Sequence, residues 1–131
     1  MSEKKAILVV EDNDFVRMQI VAFLKEAHTD YDIIEATEGE EALELMKATD
    51  NSVSLAIVDV MMQPIDGFKF INELRSRDID TPIILVTGDK TSDLLERAAK
   101  LGVGSVLIKP VEKDRLLKTV DRALESMRRV H

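Results

Sequence analysis

Five short aliphatic runs punctuate this chain at near-regular intervals, and each is followed by a stretch with helical periodicity. The runs are AILVV (6–10), YDIIEA (31–36), SLAIVD (54–59), PIILVT (82–87) and SVLIK (105–109). Short apolar runs bounded by polar turns suit buried strands, whereas apolar residues three and four apart mark one face of a helix. Over 13–27 the inward face is Val16, Ile20, Phe23, Leu24 and Ala27, and over 39–48 it is Ala42, Leu43 and Met46. Over 67–76 it is Phe70, Ile71 and Leu74, and over 112–127 it is Leu116, Val120, Leu124 and Met127. A further helix over 92–102 is capped near Thr91 or Ser92 and stopped by Gly102. Strands alternating with helices through short loops predict a single-domain α/β fold, (βα)5, with a doubly wound parallel sheet covered on both faces. Four of the strands are nearly all aliphatic, as strands that meet water on neither face should be. YDIIEA is more polar and fits an edge.

Composition narrows the setting. The 131 residues suit one domain, and 45% apolar with 33% charged residues describes a globular chain with a core large enough to need no staple. There is no cysteine, which excludes disulfides and thiolate metal sites and fits a reducing compartment. No apolar run approaches the length of a membrane span. AILVV runs straight into EDND, so no signal-peptide core is present, and the expectation is a cytoplasmic protein without a membrane partner. The net charge of −7 argues against direct nucleic-acid binding, and the basic tail MRRVH is too short to reverse that.

One residue resists the strand pattern. In SLAIVDVMMQPIDG, Asp59 interrupts an apolar run, where burial penalises its charge. Open α/β sheets bind ligands beyond the carboxyl ends of their strands, so what each strand delivers there matters. The first delivers Glu11 and Asp12, the third Asp59, the fourth Thr87 and the fifth Lys109. Three carboxylates converging on one edge repel one another unless a cation is present. With oxygen ligands alone, the cation of choice is Mg2+, with Mn2+ as a substitute. Adding the ammonium of Lys109 and the hydroxyl of Thr87 completes the parts for phosphoryl transfer to a carboxylate, giving an acyl phosphate. Taken singly, each residue has a plainer reading: EDND as a helix cap, Asp59 as a strand-end acid, Thr87–Gly88 as a turn, Lys109 as a loop charge. Taken together, their convergence on one sheet edge favours the site.

These segments resemble the receiver domain of two-component response regulators. The match spans residues 5–128, leaving 1–4 and 129–131 as short extensions, and rests on VVEDND, ATEGEEAL, IVDVMMQPIDG, VTGD and LIKP in that order and spacing. The resemblance implies a flavodoxin-like sheet in the order 2-1-3-4-5. It implies that Asp59 is the phosphoacceptor, with Thr87 and Lys109 serving the phosphate. It further implies that Glu11 and Asp12 hold Mg2+, Asp12 directly and Glu11 through water, with Asp59 and the backbone carbonyl of Met61 completing the metal site. Thr87 matches the switch hydroxyl, and Lys109–Pro110 matches a bond that is cis in the family. Met61 and Asp89 match positions that tune the acyl phosphate's hydrolysis, Asp89 by orienting water or by repelling an anion. The implied donor is a sensor histidine kinase or histidine phosphotransfer protein. The downstream partner or output domain is not implied by any residue.

Departures from the family pattern are also specific. Gln63 stands where a proline is usual and Pro64 follows it, which predicts a local shift of the loop. Val106 replaces the switch aromatic, Val111 replaces a common phenylalanine, and Gly88 replaces a common alanine. Short and β-branched, Val106 cannot make the aromatic's inward rotation. Either the readout on the face of helix four, strand five and helix five is muted, or movement of the loop after Thr87 suffices. A Mg2+-dependent phosphohydrolase is the competing class, but such enzymes carry a second acid two residues after the nucleophile, where this chain has Met61. A binding-only receiver is disfavoured by the intact Asp12, Asp59, Thr87 and Lys109. A flavin site is disfavoured by the acidic loop after strand one. The chain is expected to be a stand-alone or excised receiver, and a monomer by default with a phosphorylation-dependent dimer as the alternative.

Overall fold

The computed structural model describes residues 5–49, 52–61 and 66–130, the last four of these by backbone alone. Strands and helices alternate throughout: β1 (Lys5–Val10), α1 (Asp14–Ala27), β2 (Tyr31–Ala36), α2 (Gly39–Ala48), β3 (Val53–Asp59), α3 (Gly67–Ser76), β4 (Ile83–Thr87), α4 (Ser92–Lys100), β5 (Ser105–Ile108) and α5 (Lys113–Val130). The five strands form one sheet in the order β2-β1-β3-β4-β5, every pairing parallel. This is the doubly wound, flavodoxin-like order that the sequence pattern and the resemblance lead one to expect.

Because side chains alternate across a strand, the sheet has two cores. Leu8, Val10, Ala56 and Val58 pack with Ala42, Met46, Phe70, Ile71 and Leu74 under α2 and α3. Ile7, Val9, Leu55 and Ile57 pack with Ile20, Val21, Leu24, Leu116, Val120 and Leu124 under α1 and α5. Each such fully buried aliphatic side chain contributes about 1.5–3 kcal/mol relative to exposure.

Two expectations need correction. On α1 the buried stripe is Ile20, Val21 and Leu24, with Val16 and Phe23 at its margin. Ala27, the last helical residue, is exposed, because the stripe's centre lies nearer Val21 than the 16–20–27 row implies. The second correction concerns β5, at the edge where the order 2-1-3-4-5 puts it but not covered on both faces as its aliphatic sequence suggests. Of its four residues Leu107 alone is buried, and Ile108 is 46% exposed. The inward position expected for Met127 lies outside the described side chains.

Local signals set the helix ends. Asn13, Asp66 and Thr91 cap α1, α3 and α4 by accepting hydrogen bonds from the amides of Val16, Lys69 and Leu94. Beyond α4, Gly102 takes a left-handed conformation (φ +72°) and donates to Ala99. At the start of α3, Gly67 donates to the Val60 carbonyl at 3.1 Å, and a Cβ there would collide with the carbonyl of Asp59. Close approach of these two backbones therefore requires glycine. Gly67→Ala should lower stability by about 1–3 kcal/mol, measured as the urea midpoint. Gly104→Ala, where a Cβ meets nothing within 4 Å, should stay within about 0.5 kcal/mol of the parent.

Candidate functional site

Strand register builds the site. Val10 of β1 pairs with Val58 of β3, so the next residue on each strand, Glu11 and Asp59, arrives at the same level. Asp59 pairs with Val86, and the following Thr87 pairs with Ile108, which puts Lys109 one step beyond. The Lys109 amide donates to the Thr87 carbonyl at 2.8 Å, and the Lys109–Pro110 bond is cis.

Four of the expected side chains come together. The carboxylate oxygens of Glu11, Asp12 and Asp59 lie within 4.8 Å of one another. Glu11 and Asp59 are 1% and 2% exposed, whereas Asp12 faces solvent. Lys109 Nζ sits 3.0 Å from Glu11 Oε1 and 3.2 Å from Asp59 Oδ1. The Met61 amide also donates to Asp59 Oδ1, at 3.3 Å. Asp59 Oδ2 is buried without a hydrogen-bond partner.

The charges explain what this arrangement favours. Burial raises the Glu11 carboxyl from 4.5 to about 7, helped by neighbouring Asp59 and opposed by the Asn13 amide and Lys109. The Asn13 amide donates to Glu11 Oε2 at 3.0 Å. Burial alone would lower the Lys109 pKa, but Glu11 and Asp59 outweigh it and hold the ammonium above its ordinary value. Three carboxyl groups thus face one ammonium, and burial makes Glu11 costly to ionise without a second cation. An all-oxygen donor set in which acids outnumber the ammonium, and with an unpartnered Asp59 oxygen, fits a hard divalent cation such as Mg2+ or Mn2+.

Other expected residues sit at the rim. Thr87 is buried, and its hydroxyl donates to the Asp89 carbonyl at 3.1 Å and accepts from the Asp89 amide at 3.3 Å, closing a turn. Asp89 is exposed, and Met61 is 73% exposed. Val106 is half-buried against the α2–α3 side of the sheet. Gln63 and Pro64 lie outside the described residues. Sequence reasoning passed over Arg17, whose guanidinium reaches the Glu11 carbonyl at 2.9 Å. Its signal was a basic residue one turn into the helix that follows the acidic pair, three residues after Asp14.

A parallel sheet in this order, with acids at the ends of β1 and β3 and a lysine after β5, defines a class of signalling domain. Residues 7–121 match the family model of the response regulator receiver domain, and the chain belongs to that family. It is 32% identical to the transcriptional regulatory protein PdtaR of Mycobacterium tuberculosis, over 96% of this chain but 60% of that protein. It is 36% identical to part of the sensor kinase CckA of Brucella abortus, over 95% of this chain and 13% of that protein. The chain thus spans less than two thirds of the length of each of these relatives. Among solved structures, the chemotaxis protein CheY4 of Vibrio cholerae superposes with a TM-score of 0.82 at 29% identity, covering 93% of this chain and all of that one. A receiver domain from Methanospirillum hungatei shares the fold at 20% identity with a TM-score of 0.87, covering 98% of this chain and all of that one. No helix among the described residues is long and apolar enough to cross a membrane.

An acid whose pKa is raised on folding weakens the fold as it ionises. The contribution of Glu11 to stability should therefore be greatest below its unfolded value of 4.5 and fall as pH rises through about 7. Urea unfolding in EDTA, compared between about pH 5 and about pH 8, should show this decline in the parent. Glu11→Gln should flatten it. Equal slopes in the two proteins would show that Glu11 is not the group responsible.

Proposed function

We propose that Asp59 is the phosphoacceptor of a two-component phosphorelay in the cytoplasm. The supporting observation is a buried carboxylate at the carboxyl edge of the sheet, paired with Lys109 through Oδ1 and unpartnered at Oδ2. The donor is a phosphohistidine on a sensor histidine kinase or a histidine phosphotransfer protein. An Asp59 oxygen attacks phosphorus, the P–N bond of the phosphohistidine breaks, and the departing imidazole keeps the bonding pair and is released neutral once protonated. The product is an aspartyl phosphate. Lys109 lies 3.2 Å from Asp59 Oδ1, close enough to neutralise charge on the phosphoryl oxygens. Glu11, Asp12, Asp59 and the Met61 carbonyl would hold Mg2+, which supplies charge neutralisation and orients the incoming phosphoryl group. The Thr87 hydroxyl would leave the Asp89 carbonyl for a phosphoryl oxygen, and Asp89 itself tunes hydrolysis of the product. The altered state is read by a protein partner or output domain. The protein is a monomer by default, with a phosphorylation-dependent dimer as the alternative, and nucleic acid is not a direct ligand.

Incubation with acetyl phosphate and Mg2+ should give one phosphate adduct by intact mass. The adduct should be absent from Asp59→Asn and in EDTA, and should form roughly 100-fold more slowly in Lys109→Gln. Steady phosphate release from many small esters would instead mark a hydrolase, and an unmodified parent protein would overturn the proposal.

The signal reaches the face of α4, β5 and α5 in muted form because Val106 is too short to fill space vacated by Thr87. Amide chemical shifts with and without beryllofluoride should change around Asp59, Thr87 and Asp89 and only weakly along α4 and β5. Full-sized changes across that face would show that movement of the loop after Thr87 is enough.

A further inference from the structure

Arg17 is the charged side chain most tightly tied to the acidic loop without belonging to it. It springs from the first turns of α1, and its side chain is 13% exposed. Its Nη1 donates to the Glu11 carbonyl at 2.9 Å, its Nε to Glu35 Oε1 at 3.1 Å and its Nη2 to Asp14 Oδ1 at 2.7 Å. The three acceptors lie on three segments: the loop after β1, the edge strand β2, and the start of α1. A guanidinium is planar and its N–H directions are fixed, so three such bonds together determine its position and orientation.

The grip falls on an informative atom. The Glu11 carbonyl belongs to the peptide plane shared by Glu11 and Asp12, and a planar peptide moves as one unit. The Glu11 amide is already held by the Ala36 carbonyl of β2 at 3.0 Å. With the amide tied to β2 and the carbonyl tied to Arg17, both peptide planes flanking Glu11 are fixed. That sets where the Glu11 and Asp12 side chains leave the backbone, opposite Asp59. Asp14 first, and Glu35 after it, hold the Arg17 pKa above its ordinary value against the effect of burial. The cation is thus neutralised by two acids outside the site.

We infer that Arg17 is a positioning residue for divalent-cation binding, holding the Glu11–Asp12 peptide so that the two carboxylates face Asp59 at metal-binding separation. The inference deepens the proposed function and rests on the same reading of Glu11, Asp12 and Asp59 as a cation site. Charge alone gives the opposite expectation, which makes the case testable. Deleting a positive charge beside a cation site should tighten cation binding by relieving repulsion, whereas loosening the loop should weaken it. Outer partners that orient metal ligands typically change affinity by about 10–100-fold when removed.

Mn2+ binding to the full chain, followed by electron paramagnetic resonance, tests this directly. Arg17→Gln should raise the Mn2+ dissociation constant about tenfold. Arg17→Lys, which keeps the charge but cannot serve three acceptors in one plane, should raise it by a smaller factor. Far-UV circular dichroism establishes that each variant is folded, and the lysine variant carries the test if the glutamine variant is not. Unchanged or tighter Mn2+ binding in a folded variant overturns the inference. A second readout separates positioning from chemistry: at saturating Mg2+, acetyl phosphate labelling of Arg17→Gln should return to the parent rate. A deficit that persists at saturation also overturns it. Parent protein that binds no Mn2+ removes the cation site and the inference with it. Parent protein that binds Mn2+ but takes no phosphate refutes the phosphoacceptor reading alone, leaving Arg17 judged by the ratio of dissociation constants.

Discussion

Two carboxylates are buried at one edge of the sheet against a single ammonium. Glu11 and Asp59 flank Lys109 at 3.0 and 3.2 Å. Desolvating such groups is expensive, and their attraction offsets it only where geometry is good and remaining polar atoms are satisfied. Here they are not all satisfied, because Asp59 Oδ2 has no partner and burial lifts the Glu11 carboxyl to about 7. A site selected for stability alone would replace one acid with an apolar residue. Tolerating this imbalance is the mark of a site that waits for a charge, and the aliphatic strands behind it supply the stability that makes it tolerable.

The rest of the fold keeps that imbalance in place. β1 and β3 lie side by side at the centre of the sheet, packed from both faces, so the two acidic ends cannot drift apart without disturbing both cores. The edge strands contribute differently. β2 fixes the backbone of Glu11 through Ala36, and β5 delivers Lys109 through a bond to the Thr87 carbonyl. Central strands thus position the acids, and edge strands trim the loops that carry their partners.

The parts legible in the sequence were those governed by short periods. Apolar spacing gave the ten elements to within three residues at each end, and strand ends named Glu11, Asp12, Asp59, Thr87 and Lys109 because a parallel sheet brings its carboxyl ends to one side. What stayed hidden depends on how elements sit against one another. The aliphatic sequence of β5 reads like that of a strand covered on both faces, and nothing in SVLIK reveals that Leu107 alone of its four residues is buried. Val21 replaces Ala27 in the core because the exact rotation of α1 is set by contact with the sheet and α5. Arg17 looks like an ordinary helix-surface cation until the loop after β1 and the edge of β2 are brought to it. The Met61 amide bond to Asp59 is likewise invisible to a reading of side-chain types.

The same contrast bears on how a change at Asp59 leaves the site. Two connections run toward α4. The Asp59 carbonyl is packed on Gly67, the next residue Phe68 is buried, and the guanidinium carbon of Arg97 on α4 lies 4.1 Å from the centre of its ring. Separately, the Thr87 hydroxyl closes a turn on Asp89, two residues before the Thr91 cap of α4. α4 has one buried residue, Ala98, so it is held to the sheet by less apolar contact than α3, which has five. An element with few buried contacts is the one whose position changes at least cost. Phe68, the buried ring that α4 meets through Arg97, thus lies one residue beyond the glycine packed on Asp59.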